Sequence, residues 1–418
     1  MSGATVLVVG SGGREHALAW ALGRSPLVGS VLVTPGNAGT PGTQRLPDPG
    51  DVDAFAAAAV ALGADLIVIG PEAPLVAGLA DACRARGLLV YGPDAAAARL
   101  EASKAEAKAF MLRHGVPTAP ARRCDDLSSA LAALRDLGAP IVVKRSGLAG
   151  GKGVTVAETV AEAEAAVRAA FDAGEASVLL EERLLGQEVS LLVVCDAQQA
   201  VPLRLAQDYK QAEDGDHGPM TGGMGTVAPV DLLDDAALEA VMASVVRPTL
   251  AGLRSEGTPF VGTLFVGLML TERGPLVLEY NVRFGDPETQ ALLPLLESDC
   301  FELLRDAARG ALGTHRTLRW RAGASACVVM AAPGYPGTPR TGIPLVLPDD
   351  LGPDVALFHA GTALADGQLV SAGGRVLNVV ALGADREEAV ARAYAAVARI
   401  GFEGAHYRRD IGARLRAP

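Results

Sequence analysis

The amino-acid sequence predicts an α/β fold that opens with a parallel sheet, and three observations carry that prediction. Short β-type runs alternate with helical stretches over the first hundred residues, the signature of βαβ units. The runs end in glycine- or proline-rich turns, Gly10-Ser-Gly-Gly-Arg14, Thr34-Pro-Gly-Asn-Ala-Gly39, Gly70-Pro-Glu72 and Gly92-Pro93. Half of the 418 residues are hydrophobic and only 4% are aromatic, as in α/β enzymes rich in turns and short helices. Ligands of open α/β sheets bind at the carboxyl ends of the strands, so these turns form a first candidate site.

The elements follow in order. Strands are expected at Thr5–Val9, Val31–Val33, Asp65–Ile69 and Leu88–Tyr91, with helices at Glu15–Leu22 and Ala73–Arg86. A second region begins near Ser103, where Ser103-Lys-Ala-Glu106 has the pattern of a capping box. It continues with strands at Ile141–Lys144, Val178–Glu181, Val189–Cys195 and Pro202–Gln207, and a helix near Glu158–Ala170. A long helix over Asp235–Ser255 and strands at Thr263–Leu270 and Leu276–Asn281 complete it. The tail from about Ala322 has strands at Ala326–Met330, Val355–Phe358 and Val376–Ala381 and a helix near Arg386–Ala398. It has few clustered polar groups, so its expected role is covering and closing. Gly310–Ala322 is the nearest thing to a linker.

Composition excludes several classes. A net charge of −11 argues against nucleic acid or an anionic membrane as partner, since both need a basic face. No apolar run reads as a membrane span. The five cysteines are scattered and form no CxxC pair, which points to free thiols in a reducing cytoplasm. Met1 leads into the first strand without a basic leader. The expected location is the cytoplasm.

The densest chemistry lies in Glu279-Tyr-Asn-Val-Arg-Phe-Gly-Asp-Pro-Glu-Thr-Gln290. Strand side chains alternate, so Glu279, Asn281 and Arg283 share one face while Leu278, Tyr280 and Val282 take the other. Two hard oxygens suit Mg²⁺, which is bound by one or two carboxylates plus substrate phosphates. A guanidinium beside them suits a phosphoryl group. The bland alternative is a surface strand of alternating polarity.

Gly10-Ser-Gly-Gly-Arg14 joins a strand to a helix and can bring backbone N–H groups to an anion at the helix N-terminus. The third glycine of a dinucleotide fingerprint is replaced by Glu15, and the second strand ends in Thr34-Pro35 rather than an acid. A single phosphate partnered by Arg14 fits better than NAD; a plain tight turn is the alternative. Gly147-Leu-Ala-Gly-Gly-Lys-Gly153 is one residue short of a P-loop, and Gly153 stands where a hydroxyl should ligate Mg²⁺. Its four glycines suggest a mobile flap over phosphates. Lys144 ends an apolar run, where an ammonium needs a countercharge. Val178–Leu184 reads as a strand and a connector able to meet an adenine edge. Gln207–Lys210 and Gly218–Gly225 form a long polar segment of the kind that is functional or disordered. No Ser-His-Asp set is visible, and His16 and His359 read as structural.

Together these pieces resemble the ATP-grasp superfamily and, more closely, the phosphoribosylamine–glycine ligase (glycinamide ribonucleotide synthetase) family. The resemblance runs nearly end to end, carried by GSGGREHA at 10–17, PGNAG at 35–39, GPEAPL at 70–75, TGGMG at 221–225, the 279–290 motif, FHAGT at 358–362 and GGRVL at 373–377. It implies an N-terminal open-sheet (pre-ATP-grasp) domain at 1–102, a two-lobed ATP-grasp domain at 103–315 with a mobile small lobe at about 120–190, and a small C-terminal α/β domain at 322–418. It implies ATP as co-substrate, held by Lys104, Lys144, Gly150, Gly151, Gly153, Glu181, Glu182, Arg183, Leu184 and Glu188. Glu279 and Asn281 would hold Mg²⁺ or Mn²⁺. Arg283 and Lys144 would be catalytic. Gly12, Gly13, Arg14, Glu15, Asn37, Glu72, Asp208, Lys210 and Asp286 would bind substrate. The implied reaction joins glycine to 5-phosphoribosylamine through glycyl phosphate, in a monomer with only small-molecule partners.

Three departures stand out. The family usually has Ala-Asp where this chain has Arg145-Ser146, His at Tyr209 and Asn at Met220. The rival readings are an ATP-grasp ligase or carboxylase acting on another carboxylate, and a nucleotide-binding protein without catalysis. ADP release that depends on glycine separates the first; the intact Glu279 and Asn281 argue against the second.

Overall fold

The structure is a computed structural model that describes residues 3–148, 153–314 and 316–415. The chain begins with β1 (Ala4–Gly10), α1 (Gly13–Leu22), β2 (Val28–Pro35), α2 (Val52–Leu62), β3 (Leu66–Ile69), α3 (Glu72–Val76), α4 (Leu79–Arg84) and β4 (Val90–Tyr91). The four strands form one parallel sheet in the order β2-β1-β3-β4. Val6 to Val9 and Leu66 to Val68 are wholly buried, as expected of parallel strands covered on both faces. Helix α2 escapes the sequence reading, although Asp51 caps it and Gly63 ends it in the left-handed region. The single helix expected over Ala73–Arg86 is two short ones, because Gly78 at φ +90° interrupts it.

Helices α5 (Ala95–Ala102) and α6 (Lys104–Arg113) lead into the central region. Ser103 is extended between them and accepts a hydrogen bond from Glu106 N at 3.2 Å. Only half of the expected capping box forms, since the Glu106 carboxylate takes Arg99 at 2.7 Å instead.

A four-stranded sheet follows in the order β5-β8-β6-β7, from β5 (Ala121–Cys124), β6 (Ile141–Arg145), β7 (Val154–Ala157) and β8 (Val178–Glu182). Two helices, α7 (Leu127–Leu137) and α8 (Val160–Asp172), pack on it. Leu134, Ile141, Val143, Val167 and Leu180 give this lobe a hydrophobic core of its own.

The larger antiparallel sheet runs β10-β9-β15-β16, from β9 (Gln187–Asp196), β10 (Ala200–Pro202), β15 (Val261–Thr271) and β16 (Gly274–Asn281). The strand expected over Pro202–Gln207 is not continuous. Its start pairs with β9, and its end, β11 (Gln207–Asp208), pairs with β14 (Gly225–Ala228) in a different sheet. That second sheet is β11-β14-β17-β21-β18, with β17 (Ala324–Ala331), β18 (Val355–His359) and β21 (Arg375–Gly383) from the tail.

The helix Asp235–Ser255 corrects one expectation. By length and composition it is apolar enough to cross a membrane. Here Val241, Val245, Val246 and Leu250 sit in the largest core, while Glu239 pairs with Arg247 on the exposed side. The supposed linker is also pinned: Leu312 N donates to Asp196 Oδ2 at 2.8 Å and Arg319 N to Ser298 Oγ at 2.7 Å.

Candidate active site

A cavity of about 1050 Å³ opens among the N-terminal sheet, the small lobe, the large antiparallel sheet and the tail. Strand β16 forms its floor. Leu278, Glu279, Asn281 and Arg283 all line it, Tyr280 touches it from the core side, and Val277 and Val282 are buried in the core. The shared face of Glu279, Asn281 and Arg283 is as the alternation predicts. Leu278 is a correction: a bulge opposite Gly267/Leu268 breaks the alternation at that point and turns Leu278 to the cavity as well.

One end of the cavity is built of lysines. The chain has only five among its 37 Lys and Arg residues, Lys104, Lys108, Lys144, Lys152 and Lys210. Four of them line the cavity, and Lys152 lies outside the described residues. Lys104 Nζ donates to Gly147 O at 3.2 Å. Lys144 Nζ meets Glu181 Oε1 at 2.6 Å and Leu278 O at 2.9 Å. Lys108 Nζ meets the other Glu181 oxygen at 2.7 Å. Lys210 bonds to Glu188 and stands 3.6 Å from Glu279 and 3.9 Å from Asp208. Burial opposes ionisation of Glu279, but Lys210, Lys104, Lys144 and Arg283 outweigh it and hold the carboxyl below its usual range. Burial pushes the Asp208 carboxyl up to about 8, against the pull of Lys210.

The other end is built of arginines. Arg283 donates to Glu101 Oε1 at 2.7 Å, to Glu72 Oε2 at 3.3 Å and to Phe284 O at 3.1 Å. Arg14 donates to Glu15 Oε1 at 2.5 Å and to Phe284 O at 3.1 Å. Arg375 donates to Gly222 O at 2.7 Å and to Asp286 O at 2.8 Å.

Several expected residues have other duties. The anion at the start of α1 is the protein's own Asp286, 3.4 Å from Arg14 N. Glu15 folds back to accept from Gly12 N at 2.7 Å, so it shapes the turn. Gly13 faces away from the cavity; a Cβ there would stand 2.1 Å from the Asn378 amide. Asn37 lies outside the lining, spending its side chain on Ser11 O, His359 O and Gly39 N at 2.8–2.9 Å. The Glu181 carboxylate is taken by two lysines, so it is not open to adenine. Glu182 and Arg183 are paired with Arg273 and Glu158, and Leu184, Glu188 and Gly153 line the wall. Gly150 and Gly151 lie outside the described residues. His16 accepts from His359 N at 2.9 Å, in keeping with a structural reading of both.

Sequence reasoning missed Glu101, Lys108, Glu288 and Arg375, all of which line the cavity. Arg375 shows that the tail does more than cover. The tail's far end also grips the polar segment. Arg408 and Arg414 stand 4.9 and 4.3 Å from the Tyr209 ring centre, and Tyr209 Oη accepts from Gly412 N at 2.8 Å.

The departures from the family pattern fall near the site. Ser146 Oγ lies 3.3 Å from Ser103 Oγ, and Arg145 pairs with Glu175 at 2.9 Å. Met220 lines the cavity.

Comparison with known proteins agrees with this geometry. Three models of the phosphoribosylglycinamide synthetase family match, the N domain at residues 4–101, the ATP-grasp (A) domain at 102–289 and the C domain at 325–414. The phosphoribosylamine–glycine ligase of Caulobacter vibrioides is 48% identical, over 98% of each chain. That of Streptomyces coelicolor is 48% identical over 98% of this chain and 99% of its own. The crystal structure of the Thermotoga maritima ligase superposes with a TM-score of 0.84 at 36% identity, covering 97% of this chain and all of the other. The biotin carboxylase domain of Hydrogenobacter thermophilus 2-oxoglutarate carboxylase, at 18% identity and a TM-score of 0.74, shares the fold. The expected three-part architecture, with its parallel N-terminal sheet, is therefore the observed one, and the chain belongs to the phosphoribosylamine–glycine ligase family.

Proposed function

We propose that this chain uses ATP to join the carboxyl group of glycine to the amine of 5-phosphoribosylamine, releasing ADP and phosphate and yielding glycinamide ribonucleotide for purine synthesis. The observation that carries the reading is the single cavity in which four lysines and the Glu279–Asn281 pair face Arg14, Arg283 and Arg375. A carboxylate is a poor electrophile, so it needs activation. A glycine carboxylate oxygen attacks the γ-phosphorus and ADP leaves. The nitrogen of phosphoribosylamine then attacks the acyl carbon of glycyl phosphate, phosphate departs, and the nitrogen gives up a proton.

The chain's share of this is placement and charge. Lys104 and Lys144 hold ATP phosphates, and Gly153, with Gly150 and Gly151, belongs to the ATP-binding set. Leu184 lines the base pocket and Glu188 faces the ribose. Arg283 and Lys144 face the phosphoryl group in transit. Arg14, Glu72, Asp208, Lys210 and Asp286 hold the amine and amino-acid substrates, with Gly12, Gly13, Glu15 and Asn37 shaping that wall.

Glu279 and Asn281 fit a divalent cation, Mg²⁺ or Mn²⁺. Glu279 is kept ionised, and Lys210 already sits as a cation among three carboxylates. No cluster of three or more His, Cys, Asp or Glu among the described residues could hold a metal alone, so phosphate and water oxygens must complete the shell. When bound, the metal neutralises phosphate charge.

We place the domain limits at 1–102, 103–315 and 322–418. The lobe at about 120–190, with its separate core, moves over the nucleotide. The working form is a cytoplasmic monomer. Coupled ADP production with glycine and freshly made phosphoribosylamine, each omitted in turn, tests the assignment. Turnover that persists without glycine overturns it.

A further inference from the structure

On the footing of the ATP reading above, we propose that Lys108 is a positioning residue that leaves the Lys108–Glu181–Lys144 trio with a net positive charge toward the nucleotide's phosphates, acting through Glu181 on Lys144. Glu181 is 2% exposed and has one lysine on each oxygen, Lys144 at 2.6 Å and Lys108 at 2.7 Å. One lysine suffices to neutralise one carboxylate. Two leave the trio with a net charge of one positive unit. Lys108 cannot deliver that charge itself. Two of its donors are taken by Thr118 Oγ1 at 2.7 Å and Ala119 O at 2.9 Å, and it is 4% exposed. Lys144 is the member beside the catalytic strand, bonded to Leu278 O. Without Lys108, Glu181 and Lys144 would form a neutral pair, and the phosphates would meet less attraction in a medium of low dielectric constant.

Composition supports a special need for lysine here. Nearly all of the chain's other cations are arginine, and on a solvated surface the two serve alike as charge. Three acceptors around one buried point suit a compact ammonium with three donors and not a planar fork.

The test compares the affinities of ADP and adenosine for the wild type, Lys108→Met, Glu181→Gln and the double variant. The ratio of the two affinities cancels changes in the adenine contacts. Lys108→Met lowers the ADP-to-adenosine ratio by about tenfold. The double variant restores it, because Glu181→Gln removes the negative charge that Lys108 offset. Glu181→Gln alone raises the ratio severalfold, and it keeps the idea testable if Lys108→Met does not fold. A ratio unchanged in Lys108→Met, still lowered in the double variant, or not raised in Glu181→Gln overturns the proposal. Failure of the wild type to bind ADP would instead overturn the ATP reading beneath it.

Discussion

The two ends of the cavity hold positive charge in different ways. At one end four lysines gather, with Lys108, Lys144 and Lys210 on carboxylates and Lys104 on a backbone carbonyl. At the opposite end every cation is an arginine, with each guanidinium fixed by backbone carbonyls and acids. An ammonium is a point charge on a flexible stem, whereas a guanidinium is a rigid fork that presents shape as well as charge. On the proposed reading, the difference teaches that the first end gathers and shifts phosphate charge and the second holds a substrate in one orientation.

The largest expected effect breaks the floor that joins the two ends. Glu279→Ala should lower kcat/KM about a thousandfold, since it removes an acid placed for the metal. Wild-type ADP release at limiting Mg²⁺ would refute that role. Exchange of the two cation types sharpens the contrast. Arg283→Lys keeps the charge and loses the fork, so kcat should fall about a hundredfold while the KM for ATP stays within about threefold. Equal losses from Arg283→Lys and Lys144→Arg would mean that shape does not distinguish the ends. Arg375→Ala should act on the arginine end alone, raising the KM for phosphoribosylamine about tenfold. A rise in the KM for ATP instead would place Arg375 in the wrong half.

The smallest effect is on stability and involves His16, behind the arginine end. Burial, with His359 adding to it, lowers the His16 pKa from 6.5 to about 4. A lowered histidine pKa favours the neutral ring in the fold, so the unfolded chain takes up the proton first as pH falls. The contribution is whole above about pH 6.5 and is lost progressively toward pH 4, at most about 3 kcal/mol. His16→Asn should flatten that part of the acid unfolding curve, and an unchanged slope would count against it.

What the sequence discloses of this site is what local periodicity can carry. Glu279, Asn281 and Arg283 share a face because strand side chains repeat every two residues, and the turns after β1 and β3 reach the cavity because parallel strands end together. The bulge at Leu278 is set by the partner strand β15 and leaves no local mark. Arg375 comes from a sheet built of distant segments, and β11 belongs to that sheet although its neighbours in sequence do not. Lys108 had a faint signal: it follows Lys104 by one helical turn and so shares its face. Asn37 and Glu181 have chemistry that suits a ligand, and only the fold reveals that other protein groups hold their side chains.

The grip of Arg408 and Arg414 on Tyr209 has a bearing on biosynthesis. Lys210 rides next to a ring that residues made about two hundred positions later hold in place. A ribosome that has finished the nucleotide-binding strands has not yet made a working enzyme. Premature termination just short of Arg408 would yield a chain able to capture ATP with its substrate loop unmoored, and a bulky fusion at the carboxyl terminus would be felt there first.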